Sequence, residues 1–335
     1  ALALNRIGIN SIAQSVVAAT PVWIFVALAL MGTSMLVRAE AWHAILRAAL
    51  PGVNVRRSDA VRGIMVGVLM SATLPARLGE PSRALIVARR LGRVRERLPV
   101  VLGTIVSQTV LNIVALVVLG GVMFSTVGLF RGHEGALVIA TVLPVVLLAL
   151  VLGTPALLRS GKPSRFVRIQ RAAQIARDAL VQVRRGLVVF RRPKLGLWAT
   201  FMQLLAWGIQ WMACYVLLVA LGLEGQAGIG AAAAVLFAVN VTAAIPATPS
   251  NIGVFQAACV AVLSAYGVGH TDALAYGIIL QAVEIATALA MGMPALLREG
   301  MSWKDLRLRA LHHATPVELS VGGSRRGGET AESRY

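Results

Sequence analysis

Long apolar runs recur along this chain, and they constrain its fold more than any other feature. The runs 100–124, 195–221 and 273–297 each exceed the roughly 20 residues that an α-helix needs to cross a hydrocarbon core. Of the 335 residues, 57% are hydrophobic and 14% are charged, whereas soluble domains carry about 25% charged residues. Strands of a transmembrane barrel would be shorter and would alternate in hydrophobicity. The sequence therefore predicts an all-α polytopic membrane protein, folded as a helical bundle.

Positive charge alternates along the chain between the predicted spans, which also include 15–38 and 136–158. The segments 77–97 and 159–194 and the C-terminal tail are rich in arginine, whereas loops 125–135, 222–230 and 268–272 carry almost no Lys or Arg. Because cytoplasmic loops concentrate Lys and Arg, we predict a multi-pass protein of the cell membrane with cytoplasmic basic loops and a cytoplasmic C-terminus. This bias accounts for the net charge of +18. The aromatic-basic surface typical of nucleic-acid binding is missing, so no nucleic-acid partner is expected.

One basic loop, 38–62, conflicts with this alternation. Only the short apolar run 63–76 separates it from the basic segment 77–97, so a full crossing would put one of the two outside. A stretch 63–80 that enters from the cytoplasm and returns resolves the conflict, as a re-entrant hairpin or a broken helix. Non-helical backbone is tolerated at membrane depth only where protein or water covers it. The prolines and glycine of LPARLGEPSRAL, residues 74–85, favour such a break.

A second interruption, IPATPSNIG, divides the apolar stretch 231–267, which begins and ends on the predicted external side. In both breaks the pattern is Pro-x-x-x-Gly followed five residues later by Ala, with prolines at Pro75 and Pro249. One break faces in and the other faces out. Paired broken helices in inverted repeats are typical of transporters with a binding site at the membrane midplane. Two unrelated turns rich in Pro and Gly are the structural alternative.

Charged residues in the first break are candidates for ligand binding. Arg77 and Glu80 are three residues apart, so on a helical turn they share a face and can pair. A charge at the bilayer centre costs about 2.5–3.5 kcal/mol on the insertion scale, so such residues are kept where they line a polar cavity or bind something. Arg83 adds a guanidinium that matches a phosphate, and the N–H groups of a broken helix favour an anion. The alternative is a structural salt bridge at headgroup level.

Polar residues inside the later apolar runs are weaker candidates. Glu284 lies well inside the last span, one turn after Gln281, and either carries a proton, contacts an amine or bonds to a neighbouring helix. Gln256 follows Gly253 in the second break, where a glycine, like Gly79 in the first, lets backbone approach a ligand closely. Most of the other buried amides are expected to join helices rather than bind ligand; they are Asn240, Gln108, Asn112, Gln203 and Gln210.

The segment 162–194 has one apolar face, because its apolar residues recur at steps of three and four, with arginines covering much of the rest. We predict a basic amphipathic helix on the anionic cytoplasmic leaflet. A coiled-coil seam for a partner fits the same spacing. Residues 315–335 are rich in Gly and Ser and read as a disordered cytoplasmic tail, which leaves 1–314 as the membrane domain.

The stretch LPARLGEPSRALIVARRLG resembles the first signature of the lysylphosphatidylglycerol synthase transmembrane family, the flippase-like domain. The family pattern is roughly Leu-Pro-x-Arg-x-Gly-Glu-x-x-Arg, and the matching residues are Pro75, Arg77, Gly79, Glu80 and Arg83. The stretch IPATPSNIGVFQAACVAVLSAYGV is similar to the second signature, although Gln256 replaces the usual Glu. The helix with Ser107 and Gln108 also lacks a charged pair that is frequent in the family. The resemblance extends to about residue 300.

The resemblance implies an integral membrane protein that moves lipids or lipid-linked sugars between leaflets. Bifunctional members carry a soluble aminoacyl-transferase domain after the membrane part, whereas a short tail follows here. We therefore expect a stand-alone membrane domain that is not an enzyme and uses no cofactor or metal. Members usually have one more helix before the first span, so we expect a preceding segment and a cytoplasmic native N-terminus.

Three function classes follow from these observations. The first is a flippase or transporter for an anionic or zwitterionic phospholipid or a lipid-linked sugar. The second is a non-transporting partner or scaffold of a glycosyltransferase or lipid-modifying enzyme, acting through 162–194. The third, an enzyme acting on lipid phosphates, lacks a convincing set of nucleophile, base and metal. A homo-oligomer or a complex with a partner enzyme fits either of the first two classes.

Overall fold

The computed structural model describes residues 21–73, 79–126, 187–243 and 251–299 of the chain. Within these ranges the fold consists of α-helices and one short 3₁₀ helix, Leu187–Arg191, without β-strands. We number the α-helices in chain order: α1 Pro21–Ala49, α2 Arg57–Thr73, α3 Gly79–Arg90, α4 Val94–Thr126, α5 Pro193–Ala220, α6 Ile229–Thr242, α7 Val254–Ala265 and α8 His270–Leu297. The predicted all-α class is confirmed.

Helix length divides these elements into two kinds. Four of the described helices, α1, α4, α5 and α8, are long and apolar enough to cross a membrane. The others contain 17, 12, 14 and 12 residues, which at 1.5 Å per residue gives only about 18–26 Å against a hydrocarbon core of about 30 Å. The four long helices confirm a multi-pass membrane protein.

The order long, short, short, long occurs twice, first in α1–α4 and again in α5–α8. The first helices of the two halves run antiparallel along each other. Ala27, early in α1, shares a core with Leu217 near the end of α5, whereas Ala48, late in α1, shares a core with Ala199 near the start of α5. The two halves are therefore inverted relative to each other, as the sequence predicts.

The two pairs of short helices lie toward opposite ends of the bundle. The first pair, α2 and α3, packs with the end of α1 and the start of α4 through Ile64, Val87 and Val101. The second pair, α6 and α7, packs with the start of α1 and the end of α5. Each pair also contacts a long helix of the other half, α2 against α8 and α6 against α4. This exchange joins the two halves into one bundle.

Glycines allow the first pair to pack closely as antiparallel helices. A Cβ at Gly63 would lie 2.7 Å from a side-chain carbon of Val87, and one at Gly67 would lie 3.1 Å from the carbonyl oxygen of Gly79. A Cβ at Gly79 would overlap both the carbonyl oxygen of Gly67 in α2 and Ser71 Oγ. The first residue of α3 is therefore restricted to glycine by close backbone approach.

The glycines of the two Pro-x-x-x-Gly motifs lie at equivalent places in the two halves. Gly79 is the first residue of α3 and Gly253 immediately precedes α7. Gly253 adopts φ 89°, a left-handed conformation that glycine adopts readily. Its N–H donates to Gln256 Oε1 at 2.7 Å, which caps the helix start. Both glycines thus lie at the start of the second short helix of a pair, although their positions relative to the first helical residue differ.

Several predicted boundaries are wrong. Helix α1 continues to Ala49, so Arg38 and Arg47 belong to it and no loop begins at 38. No Pro or Gly interrupts residues 38–49, and Trp42 and Ile45 continue the buried face. The first pair extends over 57–90 rather than 63–80, because charged residues at its outer ends are neutralised by ion pairs.

Other segments differ from expectation or lie outside the described residues. Much of 77–97 is helical, since α3 begins at Gly79 and α4 at Val94 rather than near 100. The proposed helix 162–194 does not continue to its end, because a 3₁₀ helix covers Leu187–Arg191 and Pro193 already begins α5. Residues 162–186, the span 136–158, the start of the span 15–38 and the tail 315–335 lie outside the described residues, so the division at residue 314 stays a prediction.

We expect Gly79→Ala to destabilise the fold by about 1–3 kcal/mol, because the added methyl group overpacks the contact between α2 and α3. The control is Gly208→Ala in α5, where a Cβ meets nothing within 4 Å and alanine favours the helix. Thermal unfolding of the two detergent-purified variants should give a lower Tm for Gly79→Ala alone. Equal Tm values would contradict the close packing.

Candidate functional site

Charged and amide side chains from several helices face each other near the middle of the long helices. Arg38 lies inside α1, Gln108 inside α4, Gln210 inside α5 and Glu284 inside α8. Arg83, in the first turns of α3, reaches the same region. We call these five residues the internal polar site.

Arg83 is held on three sides. Its Nη2 donates to Glu80 Oε2 at 2.6 Å, and its Nη1 donates to Gln108 Oε1 at 2.8 Å. The guanidinium carbon lies 5.1 Å from the centroid of the Trp42 ring, within cation–π range. Trp42 Nε1 in turn donates to Thr104 Oγ1 at 3.0 Å. Arg83 is only 9% exposed, so α3 is fixed to α1 and α4 by an immobilised charge.

The predicted partner of Glu80 was Arg77, which lies outside the described residues together with Pro75 and Pro249. Within the described part, Glu80 pairs with Arg83 instead, at the spacing i, i+3. Glu80 is about half exposed, with 49% of its side-chain area accessible, whereas the Arg83 side chain is 10% exposed. The carboxylate therefore lies at the rim of the site and the guanidinium inside it.

Arg38 is a residue that the sequence analysis missed, because it was assigned to a loop. Its Nη2 donates to Gln210 Oε1 at 2.8 Å, which joins the first helices of the two halves. Arg38 is close enough to both Arg83 and Glu284 for their charges to interact with its own. The apolar periodicity that continues past it through Trp42, Ile45 and Leu46 was the signal that could have placed it inside a helix.

Glu284 faces this arginine from α8, and their charges attract each other. One turn earlier, Gln281 Oε1 accepts a hydrogen bond from Gln256 Nε2, which ties α8 to α7. Gln256 and Gln281 thus connect the second helix pair to the edge of the internal polar site. Asn240 differs from them, since its Nδ2 donates to the carbonyl of Leu236 in its own helix at 2.8 Å.

Four of the five amides that were expected to join helices do so, whereas Asn240 bonds within its own helix. Gln203 Nε2 of α5 donates to Asn112 Oδ1 of α4 at 2.7 Å, and Trp207 Nε1 donates to the same oxygen at 3.2 Å. Gln108 and Gln210 bond to the two internal arginines. Asn112, Gln203 and Gln210 therefore connect the first half to the second, and Gln108 connects α4 to α3.

Donor groups in the internal polar site exceed the acceptors that reach them. Arg38 Nε, Arg83 Nε and Gln108 Nε2 are buried and find no hydrogen-bond partner among the described residues. A buried donor without a partner costs about 1–3 kcal/mol. The two arginines also repel each other. The site is therefore suited to an anionic group with several acceptor oxygens.

The described Lys and Arg residues outside this site gather at one end of the bundle, which we call the basic end. They lie at the end of α1, the outer ends of α2 and α3, and the starts of α4 and α5, and Arg298 follows α8. From 195 to 297 the chain contains no Lys or Arg. The opposite end of the described bundle is thus free of basic side chains.

Four charged residues close the basic end, and we call them the basic-end cluster. Arg90 Nε bonds to Asp59 Oδ1 at 2.6 Å, and Arg90 Nη1 bonds to Glu299 Oε1 at 2.8 Å. Arg62 Nη1 reaches the same Glu299 oxygen at 3.0 Å. The hydrogen bond to Asp59 raises the pKa of Arg90, and the Glu299 charge adds to this, although partial burial opposes it. The cluster fastens both ends of the first helix pair to the end of α8.

A model of the family described as "Lysylphosphatidylglycerol synthase TM region" matches residues 1–292 of the chain. Comparison with curated proteins and with solved structures returned no match. The matched range includes both helix pairs and all five residues of the internal polar site.

We expect Arg90→Gln to lower the free energy of unfolding by about 1.5–3 kcal/mol, the value of hydrogen bonds to charged groups. Asp59, whose side chain is only 6% exposed, would lose its counter-charge, and Glu299 would keep only Arg62. Arg93→Gln is the control, since the Arg93–Glu96 pair is 3.5 Å apart with both side chains largely exposed, and its loss should change stability by less than about 0.5 kcal/mol. Thermal unfolding of both variants checks this, and equal losses would contradict a structural cluster.

Proposed function

The chain belongs to the lysylphosphatidylglycerol synthase TM region family, a membrane family linked to lipid handling, and from this premise we propose that it is a lipid flippase or transporter. The substrate would be an anionic or zwitterionic phospholipid, or a lipid-linked sugar, moved between leaflets. The protein would act as a transporter rather than as an enzyme.

The observation that carries this proposal is the meeting of two inverted halves at an internal site with excess hydrogen-bond donors. Each half contributes a pair of helices too short to cross the membrane, and the pairs lie toward opposite ends. Inverted halves with broken helices support alternating access around a site at mid-depth. We propose that both pairs are re-entrant and that their tips border the path of the headgroup.

The residues of the first pair would bind the anionic part of the substrate. Arg77 and Arg83 would attract phosphate, Glu80 would orient Arg83, and Gly79 would let the backbone approach. On the second pair, Gly253 and Gln256 would form the other border, with Gln281 and Asn240 beside it. Glu284 would balance the positive charge or carry a proton. The breaks at Pro75 and Pro249 would expose backbone N–H groups to the ligand.

The gathering of Lys and Arg at one end of the bundle supports an orientation in the cell membrane in which the basic end faces the cytoplasm. The segment 162–194 would then lie against the anionic leaflet. The alternative of a non-transporting partner depends on this same segment, of which only the last residues are described, whereas the transporter proposal has the internal polar site in its favour.

Transport is tested with the double variant Arg77→Ala/Glu80→Ala in proteoliposomes that contain a fluorescent phospholipid, with dithionite quenching as the measure of lipid exchange. We expect the rate above protein-free vesicles to fall at least about tenfold, equivalent to about 1.4 kcal/mol, because the variant removes the charges of the first break.

The matched control is Arg93→Ala/Glu96→Ala, an Arg–Glu pair of the same spacing that is exposed at the basic end. It should exchange lipid like the unmodified protein. Unchanged exchange by a folded Arg77→Ala/Glu80→Ala protein would argue against the flippase proposal and in favour of the partner role.

Orientation is tested with single cysteines at two exposed positions, Arg95→Cys at the basic end and Glu224→Cys at the opposite end. The native Cys214 and Cys259 are buried and should react little. A membrane-impermeant maleimide should label Glu224→Cys in intact cells, but Arg95→Cys only after permeabilisation. The reverse pattern would invert the proposed topology.

A further inference from the structure

Arg38 lies inside a helix long enough to cross a membrane, yet it has no carboxylate at ion-pair distance among the described residues. Arg83 pairs with Glu80, Arg90 with Asp59 and Glu299, and Arg62 with Glu299. Arg38 instead bonds to the neutral amide of Gln210. Its Nε is buried and has no partner among the described residues.

An arginine without a paired carboxylate at this position in a membrane helix costs free energy unless it binds a ligand. A charged side chain deep in a membrane helix is expensive and is usually kept for function. Arg38 is also repelled by the immobilised Arg83. Glu284 attracts it from α8, yet the two side chains form no ion pair within 4.0 Å in the described structure, where other pairs are as short as 2.6 Å. Arg38 and Glu284 thus lie near each other without forming an ion pair.

Two further unmatched donors belong to the same internal polar site. Arg83 Nε and Gln108 Nε2 are also buried without partners among the described residues, on side chains that are 9% and 1% exposed. The terminal nitrogens of Arg83 are already used by Glu80 and Gln108. Arg38 retains more of its hydrogen-bonding capacity and is partly accessible. It can therefore turn toward a ligand, whereas Arg83 acts as a fixed charge.

We propose that Arg38 is the residue that binds the phosphate of the transported lipid, at the internal polar site between α1, α3 and α8. This assignment rests on the proposed function and adds to it a binding residue on the first helix of the bundle. The phosphate oxygens would accept from Arg38 and relieve its repulsion by Arg83, because an anion between two guanidinium groups attracts both. Gln210 would hold Arg38 in place when no lipid is bound.

The test is a titration of purified protein by native mass spectrometry with two probes that share their acyl chains. Dihexanoyl phosphatidic acid carries the phosphate and dihexanoylglycerol lacks it. We expect Arg38→Gln to weaken binding of the phosphatidic acid on the order of 10- to 100-fold, as for the loss of hydrogen bonds to a charged group. Binding of dihexanoylglycerol should not change.

The control on the same helix is Arg47→Gln, since Arg47 is exposed at the basic end and its loss should leave both affinities within about twofold. If Arg38→Gln cannot be recovered folded, Arg38→Lys replaces it. That variant keeps the charge but lacks the paired donors that match phosphate, so a loss of about three- to tenfold is expected. An unchanged preference for phosphatidic acid in either variant overturns the assignment of Arg38.

The design separates this assignment from the proposed function. If the unmodified protein binds both probes equally, the internal polar site has no phosphate preference and the proposal of an anionic lipid substrate fails as well. Glycerol 1-phosphate is the third probe. If it binds as tightly as phosphatidic acid and depends on Arg38, the anion site stands but its ligand is a free phosphate ester rather than a lipid.

Discussion

The contact of Arg83 with Glu80, Gln108 and Trp42 connects the first pair of short helices to the rest of the bundle. Without partners, a guanidinium at this depth would destabilise the fold by more free energy than its packing contributes. Here hydrogen bonds and an aromatic face compensate it, so the helix that carries it can remain inside. The close approach of Gly67 to Gly79 depends on this compensation of the Arg83 charge, because the approach requires α3 to stay packed against α2.

The two halves share an architecture but differ in chemistry. The first pair brings Glu80 and Arg83 into the bundle, whereas the second pair meets α8 through the neutral contact of Gln256 with Gln281. No Lys or Arg occurs from 195 to 297. Attraction for an anion therefore comes from Arg38 and Arg83 of the first half, whereas the second half contributes the carboxyl group of Glu284 near them. Such asymmetry is compatible with inverted halves, because backbone packing and not side-chain charge sets the repeat.

The sequence was sufficient for the helix class, the inverted repeat and the role of the buried amides, since these follow from apolar periodicity, charge alternation and the cost of unpaired polar groups. It misplaced Arg38 because positive charge usually marks the end of a span, and one buried arginine breaks that rule. It also placed the first pair too narrowly at 63–80. The ion pairs of Arg90 with Asp59 and Glu299 extend the helices to 57–90, and partners so distant in sequence leave no local signal.

The proposed transport requires each end of the bundle to close in turn, and the described helices of the two halves meet through different contacts at the two ends. At the basic end, Arg62 and Arg90 hold Glu299 of the other half through ion pairs. At the opposite end the contacts are apolar, built from the alanines of α6 against α5 and from the contact of α6 with α4 of the other half. Ion pairs exchange for water when they separate, whereas apolar contacts lose free energy in proportion to the area exposed. If both ends open during transport, the opening of the basic end is therefore the one that depends on salt concentration. The Arg90→Gln variant would weaken closure at that end without changing the internal polar site.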